Sequence, residues 1–482
     1  MATRLPDAEG SVSSEGLNGR EGEAAVSLGR ARRQKIAQAE LPLWGRDEAP
    51  RAQRSGEAPT AASGNERPGD DHLMERVVER SNVKAALKRV KQNKGSPGVD
   101  GMTVEELPAH LNANWEVLRA QLLAGTYRPS AVREQEIPKS GGGVRKLGIP
   151  TVLDRLVQQA ILQVLQPRFD PTFSEHSYGF RPGRNAHQAV LEAQRYLQDG
   201  KRVVVDVDLE KFFDRVNHDV LMGRLEKRIG DKRMLGLIRR YLEAGVMANG
   251  VVTERWEGTP QGGPLSPLLA NVLLDEVDKE LEKRGLSFVR YADDCNVYVG
   301  STRAGADVME LLKRLYARLR LRINESKSAV ARPQDRKFLG YSFWYAKGGE
   351  VRRRVAPKAL VAMKPRVRQI TDRNGGRSMK AVFVELRSYL MGWRTYFQLA
   401  QTPGVLDDVD KWIRHRLRMV QLKQWKRGRV IYREMKRLGA NEDAARSVAG
   451  NSRRWWRNSS KLLNTALPTS YYDQMGVPRL AR

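Results

Sequence analysis

Hydrophobic and polar positions along this 482-residue chain fall into three regimes. Residues 1–70 are rich in Gly, Ala, Ser, Glu and Arg, and hold neither a helical nor a strand period. Such a segment buries too little apolar surface to offset chain entropy, so a disordered extension is expected there. A helical period starts near Leu73 and runs through Val77, Val78, Val83, Leu87 and Val90. The turn Gly95-Ser-Pro-Gly-Val-Asp-Gly101 ends it. Ile137-Pro-Lys-Ser-Gly-Gly-Gly-Val-Arg-Lys-Leu-Gly-Ile149 predicts two short strands joined by a glycine loop. Thr151 and Asp154 then form a capping pair, ahead of Leu153, Leu156, Val157, Ala160, Ile161, Val164 and Leu165 on one helical face.

Past Pro171 the pattern mixes both periods. Val203-Val-Val-Asp-Val-Asp-Leu209 is a buried-strand run interrupted by carboxylates. Ser266 and Pro267 predict an N-cap with proline at the first helical position, leading Leu268, Leu269, Val272, Leu273 and Val277 onto one face. Phe288-Val-Arg-Tyr-Ala-Asp-Asp-Cys-Asn-Val-Tyr-Val299 sets strand residues on both sides of an Asp pair, which predicts a hairpin. From about Pro357 the period is helical to the end. Val405, Leu406, Val409, Trp412, Ile413, Leu417 and Val420 make a stripe, and Lys411, Arg414, Arg418 and Lys423 are expected opposite it.

Charge changes this picture. The net charge is +29, and residues 351–482 hold 30 Lys and Arg against 9 Asp and Glu, a net of +21. Five of the nine tryptophans, Trp393, Trp412, Trp425, Trp455 and Trp456, lie in that same stretch. Cations interleaved with aromatics suit a surface that neutralises phosphates and stacks on bases, so nucleic acid is the expected partner. Each tryptophan singly is expected to be core. The single cysteine, Cys295, excludes a disulfide scaffold and zinc sites built on Cys pairs. No apolar run approaches membrane-spanning length, and the acidic start has no apolar signal region, so an intracellular, cytoplasmic protein without membrane contact is expected.

The candidate chemistry lies in carboxylates. Asp206 and Asp208 interrupt an apolar strand, and Asp293 and Asp294 sit at a hairpin turn, although acidic residues are depleted in strands and costly to desolvate. A divalent-metal site explains such placement, because hard Mg²⁺ takes oxygen ligands and leaves part of its shell to substrate phosphates. The plainer alternative is a turn-forming pair with the other two salt-bridged.

These residues match a family. Tyr291-Ala-Asp-Asp294 resembles the palm signature of reverse transcriptases, and it follows other motifs in order. Val207 to His218 resembles the first palm motif, and Gly258-Thr-Pro-Gln-Gly-Gly-Pro-Leu-Ser-Pro267 the motif that faces template and nucleotide. Phe338-Leu-Gly-Tyr-Ser-Phe343 resembles the primer grip. Tyr178-Gly-Phe-Arg-Pro-Gly-Arg184 and the Ile137–Pro150 stretch resemble the fingers of group II intron reverse transcriptases, and Tyr389-Leu-Met-Gly-Trp-Arg-Thr-Tyr-Phe397 the start of their thumb, or maturase, domain.

The resemblance implies an α+β fold: a right hand of fingers and palm over residues 71–350, then a basic all-α thumb over 351–482. It implies an RNA-directed DNA polymerase that also binds its intron RNA and assists splicing, with two Mg²⁺ ions. Asp208 and Asp293 would be the principal ligands, with Asp294 and the Leu209 carbonyl completing the set. Phe213 matches the gate against a ribose 2′-hydroxyl. Lys139 and Arg145 match the pair that grips the triphosphate, Gln261 would face the nucleotide, and Lys327 would protonate pyrophosphate. Phe338, Leu339, Gly340 and Tyr341 would grip the primer, while Lys411, Arg414, Arg418 and Lys423 would bind RNA. Implied partners are intron RNA, an RNA template, a DNA primer or target, and dNTPs; a homodimer stays open. The family's Cys- and His-rich C-terminal endonuclease is not expected. A non-polymerising maturase and a domesticated retron or CRISPR-associated enzyme stay open as alternatives.

Overall fold

A computed structural model of the chain describes residues 72–138, 143–248, 251–253, 257–259, 262–460 and 462–481. The extension expected over residues 1–70, together with Lys139 and Gln261, lies outside the described residues. The helical period after Leu73 resolves into two helices rather than one, α1 (Leu73–Val77) and α2 (Arg80–Asn93), broken at Val78 and Glu79. α3 (Leu107–Leu123) follows, and then the expected strands β1 (Val132–Pro138) and β2 (Val144–Ile149). α4 (Val152–Phe169) is capped as its sequence requires, with the Thr151 hydroxyl accepting from the Asp154 N–H at 3.0 Å.

The central segment runs α5 (Ala186–Gln198), β3 (Val203–Val207), α6 (His218–Glu226), α7 (Lys232–Glu243), β4 (Val246–Ala248), β5 (Val251–Thr253), α8 (Ser266–Lys283), β6 (Ser287–Tyr291), β7 (Asp294–Val299), α9 (Thr302–Arg318) and β8 (Ala329–Ala331). Ser266 is the first residue of α8 rather than its cap, and its hydroxyl instead accepts from the Thr259 hydroxyl at 3.0 Å. β1 joins β2, β4 and β5 in one sheet; β6, β7, β3 and β8 form a second, antiparallel one.

Strand alternation in the second sheet sets up everything that follows. Val203, Val205 and Val207 of β3 and Cys295, Val297 and Val299 of β7 enter one core with α4, α8 and α9. The intervening positions carry Val204 and Asp206 on β3 and Asp294, Asn296 and Tyr298 on β7; Val204 and Tyr298 enter a second core on the opposite face. The sheet is therefore a partition with apolar packing on both sides and its acids on one. The second core continues through the hairpin of β9 (Tyr341–Tyr345) and β10 (Val351–Val355) into helices α10 (Pro357–Ile370), α11 (Met379–Tyr396), α12 (Pro403–Trp425), α13 (Gly428–Arg437) and α14 (Glu442–Gly450). The architecture is α+β, and the boundary expected at residue 350 falls inside that hairpin. No described helix is long and apolar enough to cross a membrane.

α12 departs from its expected pattern. Leu406, Val409, Ile413, Leu417 and Val420 are buried as predicted, but so are Arg414 and Arg418, at 0% and 5% exposure. A single buried stripe underlies the sequence reading, whereas the segment 463–481 covers a second side of the helix. Arg414 pairs with Asp410 at 3.0 Å and donates to Asp473 and to the carbonyls of Val477 and Pro478. Arg418 donates to the carbonyl of Leu467 at 2.8 Å and to Asn464. Neither guanidinium lies on an exposed RNA-binding face. Arg414→Ala would strand the Asp410 carboxylate and two carbonyls, at a cost of about 3–5 kcal/mol. Urea unfolding should show a lower midpoint at an unchanged slope, and an unchanged midpoint would show that water replaces the guanidinium.

Candidate active site

The hairpin β6–β7 turns through Ala292 and Asp293, with Tyr291 paired to Asp294. Two-residue hairpin turns require left-handed backbone, and Ala292 supplies it at φ 59° despite its Cβ. Val207 pairs with Cys295, which brings Asp208, one residue beyond β3, alongside the turn. The Asp208 carbonyl accepts from the Asn324 N–H at 2.8 Å, and the Glu210 N–H donates to the Arg322 carbonyl at 2.9 Å. This bridge centres on Leu209 and Ile323, so the Leu209 carbonyl takes no part in it and points away.

Burial and mutual repulsion dominate the electrostatics. Burial first, and the Asp208 charge after it, hold the Asp293 carboxyl above its ordinary range, while Arg145 and Arg290 oppose the shift. Asp294 is pushed up to about 8 by burial, then by Asp206 and Asp293. Burial also raises Asp206, against the opposing Arg336, which donates from Nε at 2.7 Å. Asp206 is thus a salt-bridged structural acid. Among the described residues, no group of three or more acidic, histidine or cysteine side chains is arranged to cage an ion. The expected set of three carboxylates is not assembled as one here. What stands together is two carboxylates, hard oxygen donors, with Asp208 near enough to raise Asp293 and its Oδ2 buried. Its charged neighbour is Lys327, whose Nζ lies 3.0 Å away. This donor set fits Mg²⁺, which commonly takes one or two carboxylates and completes its shell from water and phosphates.

Other expected site residues surround the turn. Phe212 is core at 3% exposure, whereas Phe213 is half-buried on a 3₁₀ turn, edge-on to Phe212 at 5.0 Å. Its carbonyl accepts from the Thr259 N–H at 2.7 Å. Gly258, at φ 89°, lies so close beneath that a Cβ there would meet the Asp214 carbonyl oxygen at 2.9 Å. Arg145 stands exposed on β2, near enough to Asp293 to lower its carboxyl. Phe338 and Tyr341 do not present side chains for a primer: both are buried, at 2% and 0%, in the second core. Between them Leu339 (φ 49°) and Gly340 (φ 80°) make a left-handed turn, and its Leu339 carbonyl accepts from the Tyr396 hydroxyl of α11 at 2.9 Å.

The thumb cations sort differently from the sequence reading. Lys411 is exposed but paired with Asp407 at 2.7 Å and Asp408 at 3.4 Å. Lys423 lies 4.5 Å from the Trp455 ring, with Arg373 at 5.0 Å from the same ring; Arg368 and Arg416 flank Trp412 at 5.8 Å each. Trp456 is 45% exposed and stacks on His415 at 3.7 Å. Sequence reading missed Arg368, Arg373 and the Trp456–His415 stack, because they come together across α10, α12 and the 455–458 turn.

A family model described as reverse transcriptase (RNA-dependent DNA polymerase) matches residues 137–343. A second, the group II intron maturase-specific domain, matches residues 360–439. Protein YkfC of Escherichia coli (strain K12) is 35% identical over 279 residues, 50% of this chain and 73% of that protein. Group II intron-encoded protein LtrA of Lactococcus lactis subsp. cremoris is 37% identical over 210 residues, 43% of this chain but only 34% of its own length. Among solved structures, a chain of the partial Cas6-RT-Cas1--Cas2 complex aligns over 53% of this chain and 43% of its own, at 26% identity and a TM-score of 0.34.

The raised Asp294 carboxyl has a measurable consequence. Between about pH 4 and pH 8 it is protonated in the folded protein and ionised in the unfolded chain, so its contribution to stability declines as pH rises through that window. In EDTA, Asp294→Asn should therefore melt above wild type at pH 7.5, with the gap closing toward pH 4. Equal melting temperatures throughout would show that Asp294 is ionised in the folded protein.

Proposed function

The chain belongs to the group II intron reverse transcriptase/maturase family, and on that premise we propose that it copies RNA into DNA and binds the RNA of its own intron to assist splicing. The observation that carries the polymerase half is that Asp208 stands beside the Asp293 turn at one end of a buried sheet, close enough for its charge to raise the Asp293 carboxyl. Asp208, Asp293 and the Leu209 carbonyl would hold the metal ions, with Asp294 behind them. When bound, such ions lower the pKa of an attacking hydroxyl and neutralise charge on a departing pyrophosphate.

The chain's own residues do the rest. Arg145, with Lys139 on the same loop side of the sequence, would grip the triphosphate through charge-assisted hydrogen bonds. Phe213 closes the sugar side, held from behind by Gly258 and Thr259. Gln261 would face the nucleotide base. Lys327, whose Nζ lies 3.0 Å from Asp208, would supply the ammonium that protonates the departing pyrophosphate. The Leu339–Gly340 backbone, rather than the buried side chains beside it, would touch the primer. dNTPs, an RNA template and a DNA primer are the substrates in this reading, and the protein works in the cytoplasm on its ribonucleoprotein, near the bacterial nucleoid.

RNA binding is assigned to the surface of Trp412, Trp455 and Trp456 with Arg368, Arg373 and Lys423, where cations and ring faces stand together. Neutralising Arg368, Arg373 and Lys423 together should reduce the slope of log K against log salt by roughly 2, as for three lost phosphate contacts on single strands. Neutralising Lys411, already held by two aspartates, should leave the slope in place. Equal slopes for both variants would remove this surface from RNA recognition.

The decisive experiment separates the two activities. Asp293→Ala removes a carboxylate from the sheet end and touches no thumb cation. Primer extension on an RNA template should be lost by orders of magnitude, while splicing of the intron RNA at low Mg²⁺ persists. A folded Asp293→Ala protein that extends primers at the wild-type rate would sink the polymerase assignment.

A further inference from the structure

Behind the acidic turn, on the opposite side of the sheet, lies Arg290, with Arg414 one of the two largest fully buried side chains among the described residues. Strand alternation dictates this: Arg290 shares its face with Phe288 and points into the first core, away from the acids. Its guanidinium meets Asp278 of α8, with Nε at 2.8 Å from Oδ1 and a second contact to Oδ2 at 2.5 Å. Another nitrogen donates to Asn271 Oδ1 at 2.9 Å and, returning along its own strand, to the carbonyl of Ala292 at 3.0 Å. Asn271 passes the connection on, donating to the Gly179 carbonyl at 2.9 Å. Gly179 lies across the turn, where a Cβ would come 2.2 Å from the Ala292 nitrogen. The Arg290 backbone is held as well, donating to the His176 carbonyl and accepting from the Tyr178 N–H, both at 2.9 Å.

A buried ion pair alone is weak evidence of anything beyond packing, because apolar pairs of similar volume often replace one without loss of stability. Two features exceed that account. The fork directs a donor at the carbonyl of the hairpin residue held in left-handed backbone, Ala292 at φ 59°, a conformation disfavoured for any residue that carries a Cβ. It also reaches, through Asn271, the turn at Gly179 that presses on the same residue from outside. We propose that Arg290, with Asp278 and Asn271, is the positioning device of the active site: it locks the Ala292 turn and so fixes where the Asp293 carboxylate stands, without touching substrate or metal. This rests on the polymerase reading above and adds a role for residues that reading leaves out.

The test uses the full chain and Mn²⁺ alone as probe. Arg290→Lys keeps the positive charge beside Asp278 but is a point donor that lacks the planar fork. Mn²⁺ titrated into the protein and followed by electron paramagnetic resonance should bind about 10–100-fold more weakly, the usual loss when a partner behind a metal ligand is removed. In primer extension kcat should fall by a similar factor while KM for dNTP stays near wild type. Should the lysine variant not fold, the paired change Asp278→Leu with Arg290→Met restores an apolar, volume-matched contact and carries the test: a folded double variant should show the same weakened Mn²⁺ binding. Wild-type Mn²⁺ affinity in either folded variant would overturn the proposal, as would a defect confined to KM. A wild-type chain that binds Mn²⁺ yet extends no primer would instead defeat the polymerase reading, and the Mn²⁺ comparison would still decide this one.

Discussion

Like-charged carboxylates held at one end of a buried sheet are the constraint on which the rest of this structure turns. Asp206, Asp293 and Asp294 are each raised by burial, and each feels at least one of the others or Asp208. No apolar packing could hold such a group, because moving charge out of water without compensation is among the most costly steps in folding. The fold answers by rank. Arg336 takes Asp206, Lys327 takes Asp208, and burial, with Asp206 and Asp293 beside it, pushes the Asp294 carboxyl up to about 8. The turn itself is anchored from beneath by Arg290.

This ranking explains how far the chemistry was legible. Val203–Leu209 was legible as a buried strand interrupted by carboxylates, and its strand runs over Val203–Val207 with Asp208 just beyond; the hairpin around Asp293 followed from strand residues on both sides of an Asp pair. Both readings depend on period alone, and both hold. The distinction between Asp206 and Asp208 was legible only through the resemblance; physically it rests on Arg336, 130 residues away in sequence, and no local pattern announces such a partner. The same limit hid Arg290. An arginine between Val289 and Tyr291 reads as an ordinary strand residue, and only the placement of α8 beneath the sheet gives it Asp278 and Asn271.

The thumb shows the opposite failure, a pattern that was legible and misleading. A helix with one apolar stripe and four cations opposite suggests a solvated basic face. That inference assumes a helix with one covered side. α12 has two, because the last segment of the chain folds back over it, and a cation at the margin of the stripe then becomes a bracket for carbonyls instead of a ligand for phosphates. Total charge predicted the partner class better than it predicted the residues. Net charge is insensitive to which cations are buried, whereas a contact surface consists only of those that are not.

Burial also decides how separable the two activities are. The second core is continuous from Val204 and Tyr298 of the sheet through Phe338 and Tyr341 to Trp393, Phe397 and Ile413, so palm and thumb share one apolar body. A change inside that body, at Tyr341 for instance, must disturb both, because Tyr341 and Tyr396 tie the turn before β9 to α11 by reciprocal hydroxyl contacts. Charged groups at its two surfaces need not share that fate. The carboxylates emerge at the end of the sheet and the cation–tryptophan cluster emerges across α10 and α12, with aliphatic and aromatic packing between them. The shared core is thus the physical connection between the two surfaces, and a substitution that leaves its packing intact leaves that connection unchanged.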